Sequence, residues 1–337
     1  KLTLEIVKND MTSEEIAKAN FKEIRPHSKL DFGANAIFPI SVTHSIPDAV
    51  CYVLYTEDGA IVYTGDFVFD STMMGPYKTD IGKLAYVGKQ GVLCLLAESF
   101  YADRQGHTSP NNRVAGFIRE VLTENSNRII ATVFPAHIYR VQELFNEISK
   151  THRKIVIMGK ALQETINRSL ELGYLNIDKS RIGTLNDLEN KDVVVFISDE
   201  KEKPFANLER IIKGYDKYIK IKDTDTIFIT EPSYPGIEKR MAVVMDDIAM
   251  LGANAVSLSS KKHLQHHSSR EDLMTKYNLE SSDSLVIVKT SDSEKTLQIS
   301  DLYTYDYSTY EQIDKTEEAM TNAIVEVTVD QKPHIYI

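Results

Sequence analysis

Two side chains at the ends of short apolar segments, His44 and Asp66, are of the types that bind metal ions. An imidazole nitrogen and a carboxylate oxygen can both ligate zinc, at about 2.0–2.2 Å. A single histidine after a strand and a Gly-Asp pair in a turn are more often ordinary surface residues. Taken alone, the pair is weak evidence for a metal site. Its meaning depends on the elements that would bring the two side chains together.

The segments that carry His44 and Asp66 are predicted to be β-strands, because they are short and rich in β-branched and aromatic residues. Asp58-Gly59 between two of them predicts a hairpin. Four such segments follow one another: 36–42, 49–56, 60–67 and 91–98.

From residue 111 to residue 258, segments with apolar residues at helical spacing alternate with apolar, strand-like segments. Such alternation predicts a parallel α/β sheet. Residues 285–300 are predicted to form a closing β-hairpin. The tail 301–337 is polar and tyrosine-rich and then β-like at 323–330.

The composition is that of an ordinary globular protein, and 337 residues are enough for two domains. A formal net charge of -10 argues against binding of nucleic acid by bulk electrostatics, although a local basic groove or a bound metal would be compatible with it. Cys51 and Cys94 lie in apolar segments and are expected to be small buried residues, which favours the cytoplasm. There is no run of 18 apolar residues, so no membrane span is expected.

The residues around the pair are more specific than the pair itself. T-H-S-I-P-D (43–48) and Y-T-G-D-F (63–67) resemble metal-binding motifs of the metallo-β-lactamase superfamily, and above all of the ribonuclease J family of β-CASP proteins. The resemblance extends over roughly residues 2–275. It implies an α/β fold in which a metallo-β-lactamase-like αββα sandwich, partial here, carries an inserted β-CASP α/β domain with a parallel sheet.

The resemblance also implies a domain order and a set of site residues. The metallo-β-lactamase-like part would comprise 1–98 and return at 256–300, the β-CASP insert 99–255, and the tail 301–337. His44 and Asp66 would ligate a pair of zinc ions, with Mn²⁺ or Mg²⁺ as other candidate ions. Glu98, which closes a strand in LLAESFYADR, would hold neighbouring groups of the site by hydrogen bonding.

The resemblance further implies contacts to RNA. His263 and His267 match two histidines of which one contacts the scissile phosphate, and these two residues and Glu98 are the candidate catalytic residues. Ser99 and Arg104 are candidate RNA-binding residues together with the two histidines. His266 occupies a position where the family has glycine.

Three departures from the family pattern bear on activity. The motif H-x-H-x-D-H, which supplies most zinc ligands in the family, is not in this sequence, so the chain is expected to begin inside the first domain. The segment Pro-Val-His-Gly-Glu has no counterpart either. The phosphate-binding loop Gly-Ser-Gln-Gly-Glu is replaced by ISDEKEKPF (197–205), in which Asp199, Glu200 and Glu202 would repel a phosphate.

Three functions are therefore compatible with the sequence. The first is a metal-dependent ribonuclease whose site is completed by residues upstream of Lys1. The second is an inactive β-CASP subunit that binds RNA or an active paralogue, and the third is a metallohydrolase acting on a substrate other than RNA. The partners expected are RNA and either further copies of the chain or a paralogous subunit, with no membrane association.

Overall fold

The computed structural model describes residues 1–9, 11–70, 72–98, 100, 112–199, 203–232, 234, 236–258, 285–289, 294–306 and 311–328. Two compact units make up the chain. The parallel-sheet unit comprises residues 1–23, 45–47 and 109–265. The mixed-sheet unit comprises residues 24–44, 48–108 and 266–337.

The first two helices, α1 (Leu2–Asn9) and α2 (Ser13–Lys18), belong to the parallel-sheet unit. Leu2 of α1 is buried in the same hydrophobic cluster as Val114 and Leu162. The predicted domain boundaries, with the metallo-β-lactamase-like part at 1–98 and 256–300, the β-CASP insert at 99–255 and the tail at 301–337, stay predictions.

The mixed-sheet unit is built on a five-stranded sheet in the order β1-β2-β3-β4-β5. The first four strands pair antiparallel, and β5 pairs parallel with β4 after the connecting helix α3 (Ile81–Gln90). The predicted hairpin at Asp58-Gly59 joins β3 to β4 and is confirmed. The strands are β1 (Leu30–Phe32), β2 (Asn35–Ser41), β3 (Val50–Tyr55), β4 (Ala60–Tyr63) and β5 (Cys94–Leu96).

The parallel-sheet unit contains the predicted α/β alternation, with five parallel strands in the order β10-β9-β6-β8-β7. Its strands are β6 (Ile129–Val133), β7 (Lys154–Met158), β8 (Val193–Ser198), β9 (Thr226–Ile229) and β10 (Asn254–Ser257). Its helices are α4 (Asn112–Glu124), α5 (Ile138–Ile148), α6 (Lys160–Glu171), α7 (Ala206–Ile212) and α8 (Glu238–Met250).

Both faces of the parallel sheet are buried, as its uninterrupted apolar strands require. Ile129, Ala131 and Val133 of β6 pack into one hydrophobic cluster, while Ile130 packs into the other. The strand order also fixes where the chain changes direction. From β6 the chain continues to β7 and then β8, which lie on one side of β6, and afterwards to β9 and β10, which lie on the other side. In open α/β sheets, ligands bind at the carboxyl ends of the strands near such a reversal.

The predicted hairpin within 285–300 is confirmed by the antiparallel pair β11 (Leu285–Lys289) and β12 (Glu294–Gln298). A short helix, α9 (Ile299–Leu302), leads to a second antiparallel pair, β13 (Tyr303–Asp306) and β14 (Glu311–Asp314). Of the helices in the ranges described, none combines the length and the apolarity needed to cross a bilayer.

The β-like interpretation of the tail is wrong for residues 316–328, which form helix α10 (Thr316–Thr328). Alternating β-branched residues near its end suggested a strand. Ala319, Met320, Ala323 and Ile324 instead repeat at helical spacing and pack against Cys94 and Leu297. Burial of this apolar stripe decides for the helix.

Candidate active site

His44 and Asp66 lie where two strands of the mixed sheet end. Beyond β2 and β4 the chain continues to Thr43 and Val68, which form an antiparallel bridge with Val68 N donating to Thr43 O at 2.9 Å. This bridge sets the two candidate ligands side by side, with Nε2 of His44 3.6 Å from Oδ2 of Asp66. The side chain of His44 is 15% exposed and that of Asp66 is 51% exposed. The two donors are therefore paired with each other, and the Asp66 carboxylate is the more accessible to solvent.

Buried neighbours fix the backbone on either side of the pair. Thr43 is fully buried, its amide donates to Oγ1 of Thr79 at 2.8 Å, and its hydroxyl donates to the carbonyl oxygen of Tyr77 at 2.6 Å. On the other strand, Gly65 has a φ of +59°. Glycine adopts this left-handed conformation without the strain that a Cβ would bring, so the chain can turn immediately before Asp66.

Glu98 connects the end of β5 to the segment that carries Asp66. Its amide donates to Oγ1 of Thr64 at 3.3 Å, and its Oε1 accepts a hydrogen bond from the amide of Phe67 at 3.3 Å. Its other oxygen, Oε2, accepts from the amide of Phe100 at 3.1 Å. The carboxylate thus holds the residue directly after Asp66.

A second group of titratable side chains lies at the carboxyl ends of β6 and β9 in the parallel-sheet unit. We call His137, Arg140, Glu143 and Glu231 the carboxyl-edge cluster. Nδ1 of His137 makes a short hydrogen bond with Oε1 of Glu231, and Nη1 of Arg140 lies 3.1 Å from Oε2 of Glu143. Burial raises the pKa of Glu143 to about 7 against the lowering effect of Arg140, and Glu231 and Glu147 raise it further.

The carboxyl-edge cluster was not singled out from the sequence. Its signal there is a helix, α5, in which Arg140 and Glu143 share the buried surface with apolar residues such as Val141 and Leu144. Charged residues are rarely fully buried unless they are paired.

Comparison with known proteins identifies the family. Residues 126–248 match the family model "Ribonuclease J, beta-CASP domain". Ribonuclease J2 of Bacillus subtilis (strain 168) is 31% identical over 283 residues, which are 83% of this chain and 51% of that protein. The chain is ribonuclease J-like and contains a β-CASP domain.

Other ribonuclease J-type relatives match with the same coverage. Ribonuclease J 2 of Staphylococcus saprophyticus is 27% identical over 284 residues, again 83% of this chain and 51% of the relative. Ribonuclease J 2 of Staphylococcus aureus (strain NCTC 8325) is 26% identical over 283 residues, with the same two shares. The chain therefore spans about half the length of the curated relatives that it matches.

A solved structure shares the fold. The crystal structure of a protein of unknown function from Enterococcus faecalis V583 superposes with a TM-score of 0.53 at 14% sequence identity, covering 76% of this chain and 58% of that chain. With the β-CASP match and the parallel sheet, the predicted fold class is confirmed: an α/β protein of the metallo-β-lactamase-like type with an inserted β-CASP domain.

Among the described residues of the ribonuclease J-like chain, His44 and Asp66 are placed together as two donors suited to a metal ion. The nitrogen of His44 and the oxygen of Asp66 are suitable zinc donors, but a firmly held ion needs at least three protein ligands. Among the described residues, no group of three or more histidine, cysteine, aspartate and glutamate side chains is placed to hold a metal ion. These residues alone therefore do not fit a complete zinc site.

Four of the predicted site residues, Ser99, Arg104, His263 and His267, lie outside the described residues. Their contacts with RNA stay predictions. His44, Asp66 and Glu98 are described, and the structure brings them to one edge of the mixed sheet.

Two described amides of residues 197–205, the segment predicted to replace the family's phosphate-binding loop, make hydrogen bonds within the protein. Asp199 is 6% exposed, its amide donates to the carbonyl oxygen of Val133 at 2.9 Å, and its Oδ1 accepts from the amide of Phe205 at 2.7 Å. A phosphate nest needs amides that point to the ligand. The amide of Asp199 is already bonded to β6, and the amide of Phe205 is bonded to the Asp199 side chain. Glu200 and Glu202 lie outside the described residues.

Proposed function

We propose that the protein acts on RNA as a ribonuclease J-like hydrolase of phosphodiester bonds. The observation that carries the proposal is the pairing of His44 and Asp66 across the Thr43–Val68 bridge, 3.6 Å apart, in a chain that matches the ribonuclease J-type relatives over 83% of its length. Two neighbouring donors of zinc-binding type are what this pair would contribute to a metal site whose other ligands come from elsewhere.

Each residue has a distinct part in this proposal. His44 and Asp66 would contribute two ligands to the metal, with zinc as the expected ion and Mn²⁺ or Mg²⁺ as the others. Glu98 would act as a positioning residue, since its carboxylate holds the amide next to Asp66. Ser99, Arg104, His263 and His267 would contact RNA, as the family resemblance implies. Assembly with further copies or with a paralogous subunit, and a cytoplasmic location, belong to the same proposal.

One observation supports a second candidate, an RNA-binding β-CASP subunit that does not cleave. In the segment predicted to replace the family's phosphate-binding loop, the amide of Asp199 is bonded to Val133 and that of Phe205 to Asp199, and the Asp199 carboxylate adds negative charge there. A reaction on a phosphodiester needs donors that stabilise the charge developing on the phosphate. A loop that offers fewer hydrogen-bond donors stabilises this developing charge less, which disfavours catalysis. It does not prevent RNA from binding elsewhere.

A cleavage assay on a labelled single-stranded RNA with added zinc or manganese distinguishes the two candidate functions. We expect His44→Ala and Asp66→Asn to abolish cleavage, because each removes a ligand. Glu98→Gln keeps the shape but weakens the acceptor for the Phe67 amide, so we expect a loss of about 10–100-fold, as for other groups that orient metal ligands. The matched control is His152→Ala, since His152 is a 78% exposed surface residue of the other unit.

Metal analysis of the dialysed protein completes the test. Cleavage that persists in His44→Ala would refute the assignment of that residue. Wild-type protein that binds RNA, does not cut it and retains far less than one metal ion per chain would support the non-cleaving subunit. Loss of bound metal in His44→Ala and not in His152→Ala would support the hydrolase.

A further inference from the structure

A cleft lies at the carboxyl ends of β7 and β8 in the parallel-sheet unit. Its volume is about 340 Å³. The strand ends form one side through Met158, Gly159, Ile197 and Ser198. The other side is formed by α7 and by the segment that follows it, residues 215–218.

Two tyrosines of this segment present their rings to solvent at the cleft. Tyr215 is 78% exposed and Tyr218 is 51% exposed. A single exposed aromatic side chain is common on protein surfaces. Two such rings within four residues, both lining one cleft, form a platform of the kind on which other flat rings stack.

The segment between the tyrosines is held in place by a buried carboxylate. Asp216 is 7% exposed, and its Oδ1 accepts hydrogen bonds from the amides of Tyr218 at 2.8 Å and Ile219 at 3.2 Å. Its Oδ2 accepts from Nη2 of Arg210 at 2.9 Å. Because the backbone is fixed in advance, binding at the tyrosines would cost little ordering of the loop.

The charge of this segment is opposite to that of the whole chain. Residues 210–222, RIIKGYDKYIKIK, contain five lysines and arginines and a single aspartate, in a protein of net charge -10. Arg210 and Lys222 are paired with Asp216 and Glu189. Nζ of Lys217 lies 4.5 Å from the centroid of the Tyr218 ring, and a hydrogen bond with Tyr218 raises the pKa of the lysine, so its cation persists beside the platform.

We propose that this cleft binds single-stranded RNA, with bases stacking on Tyr215 and Tyr218 and a backbone phosphate contacting Lys217. Stacking on aromatic side chains combined with a cationic path for the backbone is how proteins bind single strands without reading their sequence. An unpaired RNA offers both partners at once, whereas a duplex hides its base faces. The inference rests on the proposed function in taking RNA as the ligand, and it adds a binding site formed by residues other than the candidate metal ligands.

The test is binding of the full chain to a fluorescein-labelled oligouridylate of about 12 nucleotides, measured by fluorescence anisotropy without added metal. We expect Tyr215→Ala and Tyr218→Ala each to weaken binding by about tenfold or more. The Phe variants at both positions should restore wild-type affinity, because they keep the ring. Lys217→Ala should lower the slope of log affinity against log salt concentration by about 1, the change expected for the loss of one phosphate contact.

The control variant is Tyr86→Ala, since Tyr86 is 58% exposed on α3 of the mixed-sheet unit. If the wild type binds the oligonucleotide and the Ala variants bind equally well, the cleft is not the site and the proposal is overturned, while the proposed action on RNA stands. If the wild type binds no RNA at all, the proposed function fails as well. Ala variants that bind RNA normally but sediment with a different mass would assign the tyrosines to contacts between copies, which also overturns the proposal.

A second measurement does not depend on the variants folding. Photocrosslinking of wild-type protein to a 4-thiouridine oligonucleotide, followed by peptide mapping, should place adducts in the peptide that contains residues 215–218. Adducts confined to other peptides would overturn the proposal.

Discussion

The two ends of strands β6 and β9 carry buried charges in contrasting ways. At the amino ends, Arg128 and Asp225 are 2% and 1% exposed and fully bonded: Nε and Nη2 of the arginine donate to the two oxygens of the carboxylate at 3.0 and 2.6 Å. Its nitrogens also donate to the carbonyl oxygens of Leu188 and Lys220. At the carboxyl ends, Arg140 is fully buried, and its guanidinium nitrogens make no hydrogen bond with any described residue.

The two ends differ in whether the hydrogen-bonding groups of their buried arginine are satisfied. A buried ion pair offsets the loss of hydration only if its remaining donors and acceptors are also satisfied. Arg128 meets this condition. Arg140 lies 3.1 Å from Glu143 without hydrogen-bond geometry, and the raised pKa of Glu143 shows the cost of burying its charge. The carboxyl edge, where ligands bind in sheets of this topology, therefore holds a buried ion pair whose hydrogen bonds are less well satisfied than those at the amino edge.

Removing Arg128 should have the largest effect. Arg128→Ala leaves the Asp225 carboxylate buried without its partner, so the free energy of unfolding should fall by about 3–5 kcal/mol. Urea denaturation measures this change. Arg168→Ala is the control, because Arg168 is a surface residue paired with Glu171, and its loss should change stability by less than about 0.5 kcal/mol. A similar small change for both variants would remove the contrast.

The pH dependence of stability tests the carboxyl edge. The pKa of Glu143 is raised from 4.5 to about 7 by burial, so the folded protein binds this proton more tightly than the unfolded chain does. The stabilisation is complete below pH 4.5 and is lost as the pH rises through about 7. The free energy of unfolding should therefore fall by up to about 3 kcal/mol across this range through Glu143.

Glu143→Gln isolates this contribution, because it removes the titrating group and flattens the slope between pH 5 and 7. Urea titrations at several pH values measure the slopes. Glu124→Gln, at an exposed position at the end of α4, should keep the wild-type slope. Equal slopes for wild type and Glu143→Gln would show that the buried carboxyl group does not hold its proton.

Apolar replacement of the two ion pairs should give the smallest effect at the carboxyl edge. Arg140→Met combined with Glu143→Leu removes two buried charges that share no hydrogen bond, so stability at pH 7 should be unchanged or raised. The matched variant, Arg128→Met with Asp225→Leu, leaves the carbonyl oxygens of Leu188 and Lys220 without their donor and should be destabilised. The reverse order of stability would contradict the comparison.

The order and type of the elements could be predicted from the sequence wherever the pattern was local. The strands β6 to β10 are continuous apolar segments, and each intervening helix has its own apolar period, so the parallel sheet was predicted correctly. Helix α10 was not, because its apolar stripe is defined by contact with Cys94 and Leu297, which are distant in sequence.

The site could be predicted only as far as its motifs reached. His44 and Asp66 were found from the residues around them, but their 3.6 Å approach depends on the Thr43–Val68 bridge, which joins segments on either side of a hairpin. The carboxyl-edge cluster was missed for the same reason. His137 and Glu231 are 94 residues apart, and only the order of the strands places them together.

The exposed ring of Tyr215 also offers a spectroscopic handle, because the chain contains no tryptophan. Replacing Tyr215 with tryptophan would introduce the protein's sole indole, at the rim of the cleft and at a position that is already 78% exposed. Its emission could be excited apart from that of the tyrosines that remain. Occupation of the cleft would then be visible directly, independently of any reaction at His44 and Asp66.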